Sequence, residues 1–311
     1  MLFIEQNIIT VPLYKFLISI EFTTPITFNN FPGITLRGAF GWMLKQQTCL
    51  EKDNKNCRTC QFVQHCPYAS IFETPNVDAN NPEIMKKATN FPHPFVLSPI
   101  ATWPMTFDTC STCLIHLSIF GEAIKYFHFF VRALIAAGNR GIGFQRGKFI
   151  VKSIINYTNN EVLFTHEDGY IANDIQPLAI CNENINEITI NFLTPCEIKS
   201  NGMVERQPDL NSIIKNILRR YKIISYIYGG KEVILNEGNY SDIEVVNVQT
   251  QWNDIDRLSR RQNRKMKLVG FTGSMQIKGN LQTVYPILKI GEIIHIGKHT
   301  SFGCGLIQIT K

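Results

Sequence analysis

Residues 291–309 read GEIIHIGKHTSFGCGLIQI: the end of a helix, a glycine-rich loop and a closing strand. Gly297, Gly303 and Gly305 let the backbone take positive φ and let another group come close. Lys298, His299, Thr300 and Ser301 stand between them as donors, and His295 lies just before the first glycine. A loop of backbone N–H groups with a lysine and two histidines suits a phosphate. It is not a Walker A loop, which needs Ser or Thr directly after the lysine, where this chain has His299. The competing reading is an ordinary helix-to-strand turn. A second stretch, GNRGIGFQRG at 138–147, occupies the corresponding place in the first half, between a helical pattern and a strand pattern.

Working outward from these two turns, each half gives the same order of elements. In the first, residues 14–28 alternate apolar and polar side chains and predict a strand. Pro32 and Gly33 make a turn, Thr35 is a candidate N-cap, and 36–47 predicts a helix with Leu36, Phe40, Met43 and Leu44 on one side. Strands follow at 95–100 and 114–120, a helix at 123–137, and a strand at 148–155. In the second, strands at 187–198, 243–252, 267–279 and 306–309 frame helices at 210–228 and 281–294, the latter broken by Pro286. The polar, Asn-rich piece at 156–186 has room for its own hairpin. Twice β-α-β-β-α-β predicts an α+β chain of two tandem ferredoxin-like (RRM-like, βαββαβ) domains, 1–185 and 186–311. A Cys-rich, polar insertion spans about 49–90 of the first.

The 311 residues, 44% hydrophobic, are enough for two cores. No apolar run has the length of a membrane span, and residues 1–10 lack the basic start and cleavage site of a signal peptide, which predicts a cytoplasmic protein without a membrane partner. The net charge of +6 is unevenly spread: residues 186–311 carry 17 Lys and Arg against 11 Asp and Glu, whereas 1–185 carry 14 of each. Positive charge confined to one half points to an anionic partner, nucleic acid first. The densest run is RLSRRQNRKMK, residues 257–267, with Arg257, Arg260, Arg261, Arg264, Lys265 and Lys267 and no acid. Arginine binds phosphate bidentately and stacks on bases, and Trp252 stands nearby as a stacking surface.

Nine cysteines cannot all pair with one another, so in a reducing compartment they read as metal ligands or core residues. Cys49, Cys57, Cys60 and Cys66 fall within 18 residues of a polar stretch, one pair as C-x-x-C. This fits a tetrahedral all-cysteine Zn²⁺ site that staples a coreless insertion. An iron–sulfur cluster is the alternative, because Pro67 follows Cys66. No Ser-His-Asp spacing and no paired carboxylates stand out.

Five stretches together resemble the CRISPR-associated RAMP endoribonucleases that process precursor crRNA: LRGAFGWMLKQQTC, CRTCQFVQHCPYASIFE, YFHFFVRALIAAGNRGIG, WNDIDRLSRRQNRKMKLVGFTGSMQIKG and the closing HIGKHTSFGCGL. The resemblance implies two ferredoxin-like domains, a glycine-rich loop lying against RNA, and cleavage of CRISPR repeat RNA by its own 2′-hydroxyl. That reaction leaves a cyclic phosphate and needs no metal. Repeat RNA and crRNA are the implied partners, with other CRISPR effector subunits beside them. Many members place a catalytic histidine on the first helix, where this chain has none. That departure leaves two expectations. In one, the chain cuts RNA with His295 as the proton-transfer residue and Lys298 steadying phosphate charge, while Gly297, His299, Gly303, Gly305 and the basic run bind the strand. In the other, it is a RAMP subunit that holds crRNA without cutting.

Overall fold

The computed structural model describes residues 11–54, 56–77, 88–100, 104–171, 174–180, 183–200, 202–229, 240, 242–259 and 264–311. In the first half, β1 (Leu13–Phe22), α1 (Pro32–Thr48), β2 (Phe95–Ile100), β3 (Thr112–Phe120), α2 (Phe127–Arg140) and β4 (Phe149–Asn156) follow in that order. The sheet runs β2-β3-β1-β4 and is extended past β4 by a hairpin of Val162–Thr165 with Gly169–Tyr170, all antiparallel. The second half holds β5 (Glu187–Cys196), α3 (Leu210–Gly229), β6 (Glu244–Ser259), β7 (Arg264–Lys278), α4 (Val284–Ile294) and β8 (Ile307–Thr310). Its sheet runs β6-β7-β5-β8, again antiparallel. The fold is therefore mixed α+β, with the same strand order in both halves.

The helices form where the apolar spacing dictates. In α1, Leu36, Phe40 and Leu44 recur every fourth residue and are buried. The helix starts at Pro32, earlier than Thr35: proline at N1 lacks only an N–H that has no intrahelical partner anyway, and Phe31 stands at the cap without a side-chain bond. The predicted break at Pro286 is corrected in the same way. Pro286 lies in the first turn of α4, where the first four N–H groups have no partner, so it opens the helix instead of breaking it. The 123–137 helix splits into a 3₁₀ segment, Gly121–Tyr126, followed by α2.

Two cores result, and they touch. One lies between the first sheet and α1 and α2, the other between the second sheet and α3 and α4. Leu13, Val96 and Phe120, from β1, β2 and β3, belong to the second core. Burying such side chains contributes on the order of 2 kcal/mol each. The back of the first sheet is thereby clamped against the second half. This contact seats the loop after α4 on α1 and β2.

Candidate functional site

The loop after α4 is built from the inside out. The His295 N–H still bonds to Gly291 O (2.9 Å), but its φ of 61° ends the helix. The side chain turns inward and is 1% exposed, and Nδ1–H donates to Cys304 O at 3.0 Å. Burial, with Lys15, Arg220 and His116 adding to it against the Cys304 bond, pushes its pKa down to about 3. His295 is thus a neutral imidazole tying the helix end to the returning strand. It has no face for RNA, which corrects the proton-transfer role expected from its position. It sits at a helix end, and only the tertiary packing shows which way it points.

The glycines are explained in the same terms. Gly297, Gly303 and Gly305 have φ of 75°, 87° and 73°. A Cβ at Gly305 would lie 1.8 Å from Ile296 O, and one at Gly297 would lie 2.5 Å from Glu197 O. At Gly303 it would meet Ser98 Cα at 2.9 Å. The close approach they permit is therefore to the protein's own backbone. Gly303 O accepts from Thr194 Oγ1 (2.8 Å) and Ser98 Oγ (3.3 Å), and Gly297 N–H donates to Asn216 Oδ1 of α3 (2.7 Å). Four elements, β5, α3, β2 and α1, hold the loop in one shape.

Lys298 and His299 are what this rigid loop holds outward. Lys298 Nζ lies 2.9 Å from Glu197 Oε1, and His299 Nε2 lies 3.6 Å from Glu197 Oε2. Glu197, just past β5, is buried, whereas the Lys298 side chain is 47% and the His299 side chain 25% exposed. His299 has φ 60°, an uncommon backbone state for a residue other than glycine, Asn or Asp. One buried carboxylate thus orients a cation and an imidazole at the same lip. Glu197 carries no signal in the sequence, lying over 100 residues before its partners.

The loop meets α1 at Phe302. A Cβ on Gly33 would lie 1.8 Å from Phe302 O, so this glycine lets the two backbones touch. The Arg37 guanidinium lies between two rings, 4.3 Å from the centroid of Phe72 and 4.5 Å from that of Phe302. Its Nη2 donates to His93 Nε2 at 2.7 Å. Burial first, then Arg37 and Arg220, push the His93 pKa down to about 3, so this histidine too stays neutral. The sequence marks His93 only as a residue between two prolines; the fold brings it onto α1.

The basic run divides. Arg260 and Arg261 lie outside the described residues. The backbones of Arg257, Arg264 and Lys265 belong to the β6–β7 hairpin, where Arg257 faces Met266, Leu258 faces Lys265 and Ser259 faces Arg264. Lys267 faces Asp256 and its Nζ lies 2.9 Å from Asp254 Oδ2, a bond that raises its pKa. The run has no acid along the chain, but the hairpin sets acids of β6 across from it. Trp252 is covered by the Arg206 guanidinium, 4.9 Å from the ring centroid.

Cys49 and Cys66 are buried, Cys57 and Cys60 half-buried, and all four are free thiols. The Cys57 thiol is raised to about 11 by burial, Glu73, Cys66 and Cys49, and Cys66 is raised chiefly by burial, with Cys49 and Cys60 adding to it. Cys60 Sγ donates to Glu51 Oε2 at 3.5 Å. Among the described residues, no group of three His, Cys, Asp or Glu side chains is drawn together tightly enough to hold a metal ion. None of the described helices is long and apolar enough to cross a membrane.

Comparison with known proteins places both halves. Residues 11–176 match the AF_1859_N N-terminal domain family, and residues 190–307 match the family CRISPR-associated endoribonuclease Cas6. An uncharacterized protein of Archaeoglobus fulgidus is 24% identical over 291 residues, 90% of this chain and 91% of its own. Thermus thermophilus Cas6 superposes with a TM-score of 0.55 at 12% identity, over 96% of this chain and 99% of that one. The product complex of the same Cas6 gives 0.54 at 15%, over 96% and 100%. At those identities the superpositions speak for the fold. Through residues 11–176 the chain belongs to the AF_1859_N family, and its second half, residues 190–307, is Cas6-like.

Proposed function

We propose that this protein is an endoribonuclease that cleaves CRISPR repeat RNA within precursor crRNA, with His299 transferring a proton and Lys298 stabilising phosphate charge. The observation that carries the reading is the pair held outward on Glu197 by a loop whose His295, Ile296, Thr300 and Phe302 are buried. The 2′-hydroxyl of the RNA attacks the adjacent phosphorus, its proton leaves to a base, and the 5′-oxygen departs with a proton, leaving a cyclic phosphate and a 5′-hydroxyl. An imidazole can serve either proton transfer. An ammonium group within reach of the phosphorane lowers the cost of its charge. No step calls for a metal. We read the two halves as tandem ferredoxin-like domains joined near residue 185, and the Cas6 superpositions support that reading. Other CRISPR subunits are candidate partners, as is the crRNA product.

The cysteine cluster we assign to one structural Zn²⁺ held by Cys49, Cys57, Cys60 and Cys66, on their spacing along the chain. An all-thiol donor set suits zinc or an iron–sulfur cluster, and the metal has no part in cleavage.

The second reading, crRNA binding without cutting, draws on a specific observation: both candidates at the lip already face a carboxylate, and α1 carries no histidine. Single-turnover cleavage of cognate repeat RNA in EDTA decides between them. His299→Ala loses about 10²–10⁴ in rate with its affinity largely kept. A wild-type rate in that variant removes the role from His299, and no cleavage by the wild-type protein leaves the binding reading.

A further inference from the structure

The glycine-rich turn of the first half has no part in the site above. Gly141, with φ 85°, caps α2, its N–H reaching Ala137 O at 3.0 Å and Gly138 O at 3.2 Å. Ile142 is buried and exchanges both backbone hydrogen bonds with Gly147 at 2.9 Å. Gln145 Oε1 accepts from the Thr27 N–H at 2.6 Å. The turn is pinned at three places, and at its tip Phe144 is 97% exposed. Such a ring would be covered if the turn could fold back, because burying it is favourable; the pinning prevents this.

The surroundings say what the ring meets. Arg140, Arg146 and Lys148 are exposed, and no acid lies between Asn139 and Phe149. Among the described residues, none of these three cations has an ion-pair partner. The Arg140 guanidinium lies 3.4 Å from the Trp42 ring centroid, and Trp42, on α1, is 43% exposed. Beside Phe144 stand Gly143, Gln145 and Arg146, so the apolar area is one ring, about the size of a base, too small to anchor a protein interface. Unpaired cations around an offered ring are the elements of single-stranded nucleic-acid binding: phosphates take the charges, and a base takes the ring face.

We propose that the 138–147 turn is a second RNA-binding surface, where Phe144 stacks on an unpaired base and Arg140, Arg146 and Lys148 bind the phosphates beside it. It extends the RNA-cleaving reading to strand lying outside the Lys298–His299 lip, and rests on that reading for the polymer but not for the cutting.

The test is fluorescence anisotropy of the full chain with a labelled, unstructured RNA of about 12 nucleotides. Phe144→Ala weakens binding about tenfold, while Phe144→Trp retains wild-type affinity. Arg146→Ala with Lys148→Ala makes the log–log salt dependence shallower by roughly 1.4, for two phosphates on a single strand. Both positions are exposed, and circular dichroism checks that the variants stay folded. Wild-type affinity in Phe144→Ala overturns the proposal and leaves the ring to a protein partner; a Trp variant as weak as the Ala variant overturns stacking. If the wild-type protein does not cut repeat RNA yet Phe144→Ala loses affinity, the nuclease reading falls and this one stands. Cleavage with an affinity indifferent to Phe144 does the reverse.

Discussion

Protonation of His295 carries a stability cost that can be worked from its surroundings. Its ordinary pKa of 6.5 falls to about 3 in the folded chain, chiefly because the ring is buried. The folded value is the lower one, so between those two pH values the unfolded chain binds the extra proton. The contribution is therefore fully present above pH 6.5 and is lost as pH falls toward 3. At pH 5 the loss is about RT ln(1 + 10^1.5), or ~2 kcal/mol, and at pH 7.5 it is under about 0.1 kcal/mol. His295→Gln removes the titration while its amide can still donate to Cys304 O. The variant loses some stability at every pH from imperfect packing, on the order of 1 kcal/mol. The informative quantity is the difference in slope. Urea unfolding at pH 7.5 and pH 5 should show wild-type stability dropping about 2 kcal/mol more than that of His295→Gln, with all other titrations cancelling. Equal drops in the two proteins would mean that His295 titrates like an exposed imidazole, and the buried structural role would fail.

Two further outcomes follow from the same reasoning. Elemental analysis should find about one zinc per chain, lost together in a Cys57→Ser, Cys60→Ser variant, with EDTA leaving cleavage intact; brown protein carrying iron and sulfide would reassign the metal, and loss of cleavage with the fold preserved would refute its structural role. Replacing Arg260, Arg261 and Arg264 by Ala should weaken RNA affinity and flatten its salt dependence, because each lost phosphate contact withholds counterion release; unchanged affinity and slope would move the RNA path off the β6–β7 hairpin.

The fold was legible because its elements are specified locally. Strand alternation and the spacing of Leu36, Phe40 and Leu44, or of Ile213, Ile217 and Tyr221, follow from backbone periodicity and need no knowledge of distant residues. The differences are local too: a proline within a first turn reads as a breaker, because neither the start of α1 nor that of α4 has a side-chain cap. The glycine-rich loop was also visible, as was its family resemblance.

The direction of each side chain in that loop was not visible. His295 and His299 are four residues apart with similar neighbours, yet one is sealed against Cys304 O and the other reaches the lip. The two share a positive φ but differ in ψ, 162° at His295 and 23° at His299, and Glu197, just past β5, meets only the second. Likewise, the basic run looked free of acids until strand pairing set Asp254 and Asp256 beside Lys267. Local pattern determines which elements form and in what order, because those depend on nearest neighbours along the chain. Burial and charge compensation depend on which elements pack together, so only the tertiary structure decides which histidine can meet a phosphate.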